Sequence, residues 1–262
     1  MSEVLAVYSE KGGVGKSALA AGLAAAARRR GKLVIGGDLD PRGTFTTELG
    51  VSSPAFSMND LLALDPQGET GLAAEALTPA SEDWSGVRII AAERALANRE
   101  TDATTGLEFR LRMALRDVIG PDGVGILDLP PRAGGRLVTS ALVAATGVII
   151  PATLDEDGRI GVVEALNTIR LVKDTGMNTD LRVVAIVPSI VPGGRTTLRD
   201  TMGKHLADTY GGLYRDDLSI PRHVIRQTAR FACVPITADN SREAAALLGA
   251  YDRVLTAAGV PQ

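Results

Sequence analysis

The sequence predicts an α/β fold: one domain in which a mostly parallel, twisted sheet carries helices on both faces. Short apolar runs alternate with longer helical patterns along the chain, and this alternation is typical of βαβ units. The apolar runs are continuous, as expected for strands that are buried on both faces. A length of 262 residues suits one large domain.

The first elements form a βαβ unit. The run VLAVY at Val4–Tyr8 predicts a strand that ends at a glycine-rich loop, and an alanine-rich helix follows at Lys16–Arg30, with Gly31 as its stop. Lys32–Gly37 predicts the second strand. Ser52–Ser85 is more irregular and contains short helical pieces. Further strands are predicted at Val87–Ala92, Gly123–Leu129, Gly147–Pro151 and Leu181–Val187. Further helices are predicted at Gly106–Ile119, Leu137–Ala145, Ile160–Thr175, Thr197–Tyr210 and Ser241–Ala258.

The composition limits the class of protein. The net charge is −3 and the pI is about 5.5, so a globally basic nucleic-acid coat is excluded, although a local basic patch is not. Cys233 is the single cysteine, which excludes an intramolecular disulfide and fits a reducing compartment. The N-terminal residues do not read as a signal peptide, and no apolar run reaches about 18 residues. We therefore expect a cytoplasmic protein without a membrane span.

The segment KGGVGKS, residues 11–17, lies between the first predicted strand and the first predicted helix. Backbone N–H groups freed by small residues can wrap phosphates at a helix N-terminus, where the helix dipole adds favourable potential. In such a P-loop, Lys16 would contact the β- and γ-phosphates of a nucleotide and Ser17 would ligate Mg²⁺. The usual P-loop pattern needs glycine at position 10. This chain has Glu10 there, followed by a second lysine, Lys11.

Three aspartates, Asp38, Asp40 and Asp128, each follow an apolar run. The carboxyl ends of strands in an open α/β sheet form the edge where ligands bind. Carboxylates at this edge can hold Mg²⁺, directly or through water, and can orient a water for attack on a γ-phosphate. Aspartates also commonly end strands and start turns. Three of them beside a P-loop favour the metal interpretation.

The loop resembles the deviant Walker A motif, KGGxGK[ST], of the ParA/MinD family of ATPases. GDLDPRGTFT at Gly37–Thr46 is similar to the family's switch I, and GILDLPPRAG at Gly125–Gly134 is similar to its switch II. Ala141–Gly161 and Ile220–Ile236 resemble later family segments, in family order. The DPxG, PP and IPR signatures favour the ParA branch, the chromosome and plasmid partition ATPases. With its loop at residue 11, the chain resembles the short type, one domain over 1–262 without the N-terminal helix-turn-helix extension.

The resemblance implies an ATP- and Mg²⁺-dependent ATPase. Its ATP-bound sandwich homodimer would bind DNA without sequence preference, and a ParB-like centromere-binding partner would stimulate hydrolysis. By resemblance, Asp40 positions the hydrolytic water, Asp128 reaches Mg²⁺ through water, and Asp38 belongs to the Mg²⁺ shell or orders its loop. Lys16 contacts its own nucleotide, whereas Lys11 crosses the dimer interface to the phosphates of the other subunit. The residues expected to bind the nucleotide are Lys11, Gly12, Gly13, Val14, Gly15, Lys16, Ser17 and Ala18.

Basic residues late in the chain are the candidate DNA contacts, because the family uses such residues. They are Arg195, Arg199, Arg222, Arg226 and Arg230. The last three recur every four residues and would share one face of a helix. Clustered positive charge is enough for salt-dependent phosphate contacts. The alternative is a solvated helix face that pairs with Asp216 and Asp217.

The sequence leaves other functions open. A ParA-like ATPase that positions another cargo, such as a protein cluster, has no feature that separates it from a partition ATPase. A membrane-positioning ATPase of the MinD kind needs a basic amphipathic C-terminal helix, and the tail YDRVLTAAGVPQ has one arginine. Redox enzymes and iron–sulfur carriers on this fold need cluster cysteines, which Cys233 alone does not supply. We expect no membrane partner, and association with the nucleoid in the ATP-bound state.

Overall fold

Strands and helices alternate through residues 2–64, 68–194 and 196–262, the parts of the chain that this computed structural model describes. The strands are β1 (Glu3–Val7), β2 (Leu33–Asp38), β3 (Leu77–Pro79), β4 (Val87–Ile90), β5 (Gly123–Asp128), β6 (Gly147–Ala152) and β7 (Arg182–Pro188). The α-helices are α1 (Lys16–Arg29), α2 (Thr44–Glu48), α3 (Met58–Ala63), α4 (Leu107–Leu115), α5 (Arg136–Ala144), α6 (Glu156–Asp174), α7 (Thr197–Tyr210), α8 (Val224–Phe231) and α9 (Arg242–Ala257). Within these ranges, no helix has the length and apolar character that a membrane crossing requires.

The strands form one sheet in the order β3-β4-β2-β5-β1-β6-β7. Every neighbouring pair is parallel except β3 and β4. The predicted α/β fold with a mostly parallel sheet is therefore confirmed. The antiparallel edge strand β3 lies in the region predicted as irregular, because three residues ending in proline carry too weak a strand pattern.

Two apolar cores cover the two faces of the sheet. Along the first strand and its next residue, Val4, Ala6 and Tyr8 contribute to one core, whereas Leu5 and Val7 contribute to the other. This alternation follows from the two-residue period of side chains in a strand. The first core includes residues of α3, α4, α5 and α6, and the second includes residues of α1 and α9. Helices on both faces, as predicted, therefore bury the central strands.

The register of the central strands brings the predicted functional segments to one edge of the sheet. Val7, the last residue of β1, pairs with Asp128 at the end of β5. Asp128 in turn pairs with Asp38 at the end of β2. The glycine loop and both aspartates therefore leave neighbouring strands at the same carboxyl edge, where open α/β sheets bind ligands.

Helix α1 packs closely against α9 because it is built from small residues. Its buried positions are mostly alanine, and Gly22 faces the buried ring of Tyr251. A Cβ added at Gly22 would lie 2.3–2.4 Å from three ring carbons of Tyr251. Such a distance is far inside van der Waals contact, so the ring occupies the space that a side chain at position 22 would need.

We predict that Gly22→Ala destabilises the protein by about 1–3 kcal/mol, because the buried ring must move and overpacked cores lose about that much. The unfolding midpoint in urea measures this change. Gly249→Ala in α9 is the matched control, since the nearest atom lies 3.8 Å from its added Cβ. That control is expected to be neutral or to gain up to about 1 kcal/mol of helix propensity. Equal midpoints for the two variants would contradict the packing argument.

Candidate nucleotide-binding site

The glycine loop connects β1 to α1 and takes a conformation that its glycines permit. Gly13 and Gly15 have φ angles of 82° and 86°, values in the left-handed region that other residues rarely adopt. Helix α1 begins at Lys16, directly after Gly15. The hydroxyl of Ser189, which follows β7, donates a hydrogen bond to the carbonyl oxygen of Val14 at 2.7 Å. The N-terminus of α1 is thus held at the carboxyl edge of the sheet, where its backbone N–H groups can bind an anion.

The Lys16 side chain is buried beneath this loop. Its Nζ donates a hydrogen bond to the carbonyl oxygen of Lys11 at 2.9 Å. Burial lowers the pKa of Lys16 to about 8, and the charges of Asp128 and Asp40 oppose this shift. An anion bound by the loop would stabilise the protonated ammonium. This position suits a cation that contacts bound phosphates.

Asp128 is buried, and among the residues that the structure describes neither of its carboxylate oxygens has a hydrogen-bond partner. Burial raises the pKa of Asp128 well above its usual value, and the charge of Asp38 adds to this rise. The nearby Ser17 hydroxyl and the Lys16 ammonium act in the opposite direction. Two buried oxygens without partners suit a cation or a metal-bound water. Ser17 and Asp128 are therefore the residues that fit Mg²⁺.

Asp38 is also buried, but its oxygens are occupied. Oδ2 accepts hydrogen bonds from the backbone N and the hydroxyl of Thr46, each at 2.8 Å, and Oδ1 accepts one from the backbone N of Asp40 at 3.1 Å. Burial raises the pKa of Asp38 to about 6, and these hydrogen bonds oppose the rise. Of the two roles that the resemblance implied, these contacts favour ordering of the switch I loop.

The loop opens onto a cleft of ≈ 400 Å³. Asp40 lies at this cleft, half-buried, with Oδ1 accepting a hydrogen bond from the backbone N of Arg42 at 3.0 Å. The cleft is lined by the glycine loop, by switch I and by the chain around α8, and its lining includes Gly12, Gly13, Gly15, Lys16, Ser17, Ala18, Asp40, Arg42, Thr44, Pro131, Ile190, Arg222, Gln227 and Arg230. The structure therefore brings together most of the predicted nucleotide-binding residues.

Lys11 is different, because its side chain does not line the cleft. Its Nζ lies 2.8 Å from Oδ2 of Asp157 in the first turn of α6. The two side chains are 42% and 65% exposed, and the Asp157 carboxylate raises the pKa of Lys11. The two lysines of the loop thus lie in different surroundings, one inside the cleft and one at the protein surface.

Glu10, which replaces the usual first glycine, anchors the start of the loop. Its Oε1 lies 2.9 Å from the hydroxyl of the buried Tyr8 and 2.7 Å from the hydroxyl of Thr168 in α6. The Tyr8 hydroxyl also lies 3.2 Å from the carbonyl oxygen of Arg132 in switch II. Sequence reasoning missed this role. The signal available was the departure from the glycine pattern at position 10.

Switch II has a second anchor that the sequence did not indicate. Oε1 of Glu100 lies 3.1 Å from Nη1 of Arg132. Oε2 of the same carboxylate accepts a hydrogen bond from the backbone N of Arg136 at 2.8 Å, at the start of α5. Glu100 therefore fixes both ends of the segment that follows Pro131. A carboxylate at a helix N-terminus is also favoured by the helix dipole.

The predicted DNA-contact arginines do not form one set. Arg226 of α8 is mostly buried, lines the cleft and forms an ion pair with Glu48, so the expectation that it lies on an exposed arginine face is corrected. Arg222 precedes α8, so it does not share a helical face with Arg230, which is exposed. Arg199 lies in the first turn of α7 and is partly exposed. The prediction for Arg195 falls outside the described residues.

The fold and the cleft together define a P-loop nucleotide-binding protein. The family described as "AAA domain" matches residues 2–183. A stretch of 213 residues is 35% identical to the chromosome-partitioning ATPase Soj of Thermus thermophilus, covering 79% of this chain and 76% of that protein. The chain belongs to the ParA/MinD family of P-loop ATPases, and the resemblance drawn from its motifs is confirmed.

Other comparisons agree with this assignment. The sporulation initiation inhibitor protein Soj of Bacillus subtilis is 29% identical over 234 residues, which are 86% of each chain. The crystal structure of a cobyrinic acid a,c-diamide synthase from Mycobacterium smegmatis, with bound ADP and magnesium, is 30% identical, with a TM-score of 0.78. The match covers 97% of this chain and 94% of that one. Relatives of this chain are thus ParA-type partition ATPases at about 30% identity.

Proposed function

We propose that the protein is a partition ATPase that acts as an ATP-dependent homodimer. The observation that carries this proposal is the position of Lys11 at the rim of the site, outside its own cleft and paired with the exposed Asp157. Exposed ion pairs contribute little stability, so Lys11 can leave Asp157 at small cost. A second subunit facing the cleft would then place its own Lys11 near the highly charged phosphates. A second cation there would favour formation of the dimer.

The substrate that fits the site is ATP with Mg²⁺. The backbone N–H groups of the loop and the Lys16 ammonium would hold the β- and γ-phosphates. Ser17 and Asp128 would hold Mg²⁺, which supplies neutralisation of phosphate charge when bound. Asp40 would orient the water that attacks the γ-phosphate, giving ADP and phosphate. The ADP and magnesium of the Mycobacterium smegmatis structure support this assignment.

The partners that we propose are nonspecific DNA and a ParB-like centromere-binding protein. Arg199, Arg222 and Arg230 retain exposed surface, and exposed arginines suit a phosphate backbone. Since switch loops order around a γ-phosphate, the ATP-bound dimer would hold DNA and associate with the nucleoid. The partner would stimulate ATP hydrolysis, and hydrolysis would then release the DNA.

DNA retention tests this function. We expect retention of a nonspecific duplex only with ATP and Mg²⁺, and weaker retention as salt rises. Replacing Arg199, Arg222 and Arg230 together by glutamine should lower the slope of log affinity against log salt. The decrease is expected to reach about 0.9 for each arginine that contacts a phosphate. ATP affinity is measured in parallel, because two of these residues also line the cleft.

Arg88→Gln provides the matched control. Arg88 is exposed on β4 and lies beside the opposite end of the sheet, so its loss should leave the salt slope unchanged. Retention without ATP, or retention that salt does not weaken, would overturn the DNA role. ATP turnover that responds to glutamine and a carboxylic acid substrate, and not to DNA, would instead indicate amide synthesis.

A further inference from the structure

Arg226 connects three segments around the nucleotide cleft. Its side chain is 12% exposed, and Nη2 donates hydrogen bonds to Oε1 of Glu48 and, at 3.1 Å, to the carbonyl oxygen of Ala18. Glu48 is 1% exposed. Ala18 follows the predicted magnesium ligand Ser17 in the first turn of α1, and Glu48 is the last residue of α2. One guanidinium thus joins α8, the P-loop helix and α2, the helix in which switch I ends.

Helix α2, which contains the last residues of switch I, is in turn held to the first residues of that segment. Thr46, two residues before Glu48, donates its backbone N–H and its hydroxyl to Asp38. The Thr46 hydroxyl also accepts a hydrogen bond from the backbone N of Ala92 at 2.9 Å. A displacement of switch I therefore displaces Glu48, because the last residues of switch I and Glu48 lie in the same short helix.

The contact between Glu48 and Arg226 is a buried ion pair with few other partners. Oε2 of Glu48 and Nε of Arg226 are both buried and have no hydrogen bond to any part of the chain that the structure describes. Burial raises the pKa of Glu48, and the charge of Arg226 opposes the rise. Removing one charge would leave the other uncompensated inside the protein. The two side chains must therefore move together or pay a large desolvation cost.

The other face of α8 is unusual for a surface helix. Val224 and Phe231 lie seven positions apart, on the same face, and are 77% and 92% exposed. Arg230 and Gln227 of the same helix line the nucleotide cleft. A change in the position of α8 would therefore alter both the cleft wall and an apolar outer surface.

We infer that Arg226 is a positioning residue, and that the Glu48–Arg226 pair makes switch I and α8 move as one unit. Through this pair, the nucleotide that switch I contacts sets the position of α8 and of the surface formed by Val224 and Phe231. The inference rests on the proposed function, since switch I can respond to a γ-phosphate only in a protein that binds ATP.

Hydrogen–deuterium exchange on the full chain tests this coupling. The protein is compared with Mg²⁺-ADP and with Mg²⁺ and a non-hydrolysable ATP analogue. In the wild-type protein, amides of residues 224–231 should exchange at least about fivefold more slowly with the analogue, the lower end of usual coupling between sites. In Glu48→Gln this difference should fall below about twofold, while the amides of residues 11–18 remain protected by either nucleotide.

Two further variants keep the test decisive. Asp252→Asn removes an ion pair of 2.8 Å that joins α1 to α9 through Arg30, far from the loop, and should leave the response of α8 intact. Arg226→Lys keeps the charge but not the guanidinium geometry that places Nη2 against both acceptors, and should give an intermediate response even if Glu48→Gln fails to fold. An unchanged response in both Glu48→Gln and Arg226→Lys would overturn the coupling. The coupling would also be overturned by a wild-type protein in which nucleotide protects the loop while α8 exchanges equally fast with ADP and with the analogue.

Failure of both nucleotides to protect residues 11–18 would refute the proposed function itself, and the coupling with it.

Discussion

Replacing Lys16 by alanine is expected to weaken ATP binding by about thirtyfold or more, since losing one partner of a buried charge pair costs about 2–5 kcal/mol and about 1.4 kcal/mol is tenfold in affinity. The Lys16 ammonium is buried beneath the loop, where its lost hydration is only partly compensated by the Lys11 carbonyl and by nearby aspartates, and a bound anion would add to this compensation. Titration of the full chain with a fluorescent ATP analogue in the presence of Mg²⁺ measures the effect.

The fold should survive this substitution. Burial lowers the pKa of Lys16, so the nucleotide-free protein gains no stability from its charge. The unfolding midpoint of Lys16→Ala should therefore stay close to that of the wild type. Lys32→Ala is the control for nucleotide affinity, because Lys32 precedes β2 at the opposite edge of the sheet. Wild-type ATP affinity in Lys16→Ala would contradict the assignment of the cleft.

Replacing Lys11 by alanine should have a different result: ATP binding close to wild type, with loss of the ATP-dependent dimer. The Lys11 side chain lies outside its own cleft, so nucleotide binding to one subunit does not need its charge. A cation supplied in trans to a transferring phosphoryl group contributes on the order of 10³-fold or more to turnover, and a decrease of that size is expected. Light scattering after gel filtration and a steady-state ATPase assay measure the two effects.

Asp157→Asn is the matched variant for Lys11. It removes the exposed partner of Lys11 and keeps the lysine, so the ATP-dependent dimer should form at least as readily as in the wild type. If Lys11→Ala and Lys16→Ala lose nucleotide affinity to the same extent, the trans role of Lys11 is wrong. If Lys11→Ala dimerises normally with ATP, the dimer does not depend on this residue.

Local pattern predicted most of the fold, because buried parallel strands are apolar on both faces. The six predicted strands correspond to β1, β2, β4, β5, β6 and β7. Helix boundaries were predicted less well. Helix α6 begins at Glu156, four residues before the predicted start at Ile160, since the Asp155 side chain accepts a hydrogen bond from the backbone N of Gly158. This cap extends the helix beyond its apolar pattern.

The candidate site was predictable where its residues are contiguous and not where they meet through the fold. KGGVGKS contains the loop, its lysines and its serine in seven adjacent positions. The adjacency of Asp38 and Asp128 depends on β2 pairing with β5, which strand patterns do not specify. The pair Glu48–Arg226 spans 178 positions, and a periodic row of arginines suggested an exposed face. Only the folded structure, in which Arg226 of α8 forms an ion pair with Glu48 of α2, shows that the middle arginine is mostly buried.

The packing of α1 against α9 limits the order in which parts of the fold can form during synthesis. The nucleotide loop lies near the start of the chain, but the helix that it opens is covered by a helix near the end. Arg30 and Asp252, one on each side of that contact, are separated by 222 positions. During synthesis the N-terminal βαβ unit can form early, yet the apolar flank of α1 remains open to solvent until α9 emerges. A nascent chain should therefore acquire nucleotide affinity late, and contacts of such long range predict slow folding.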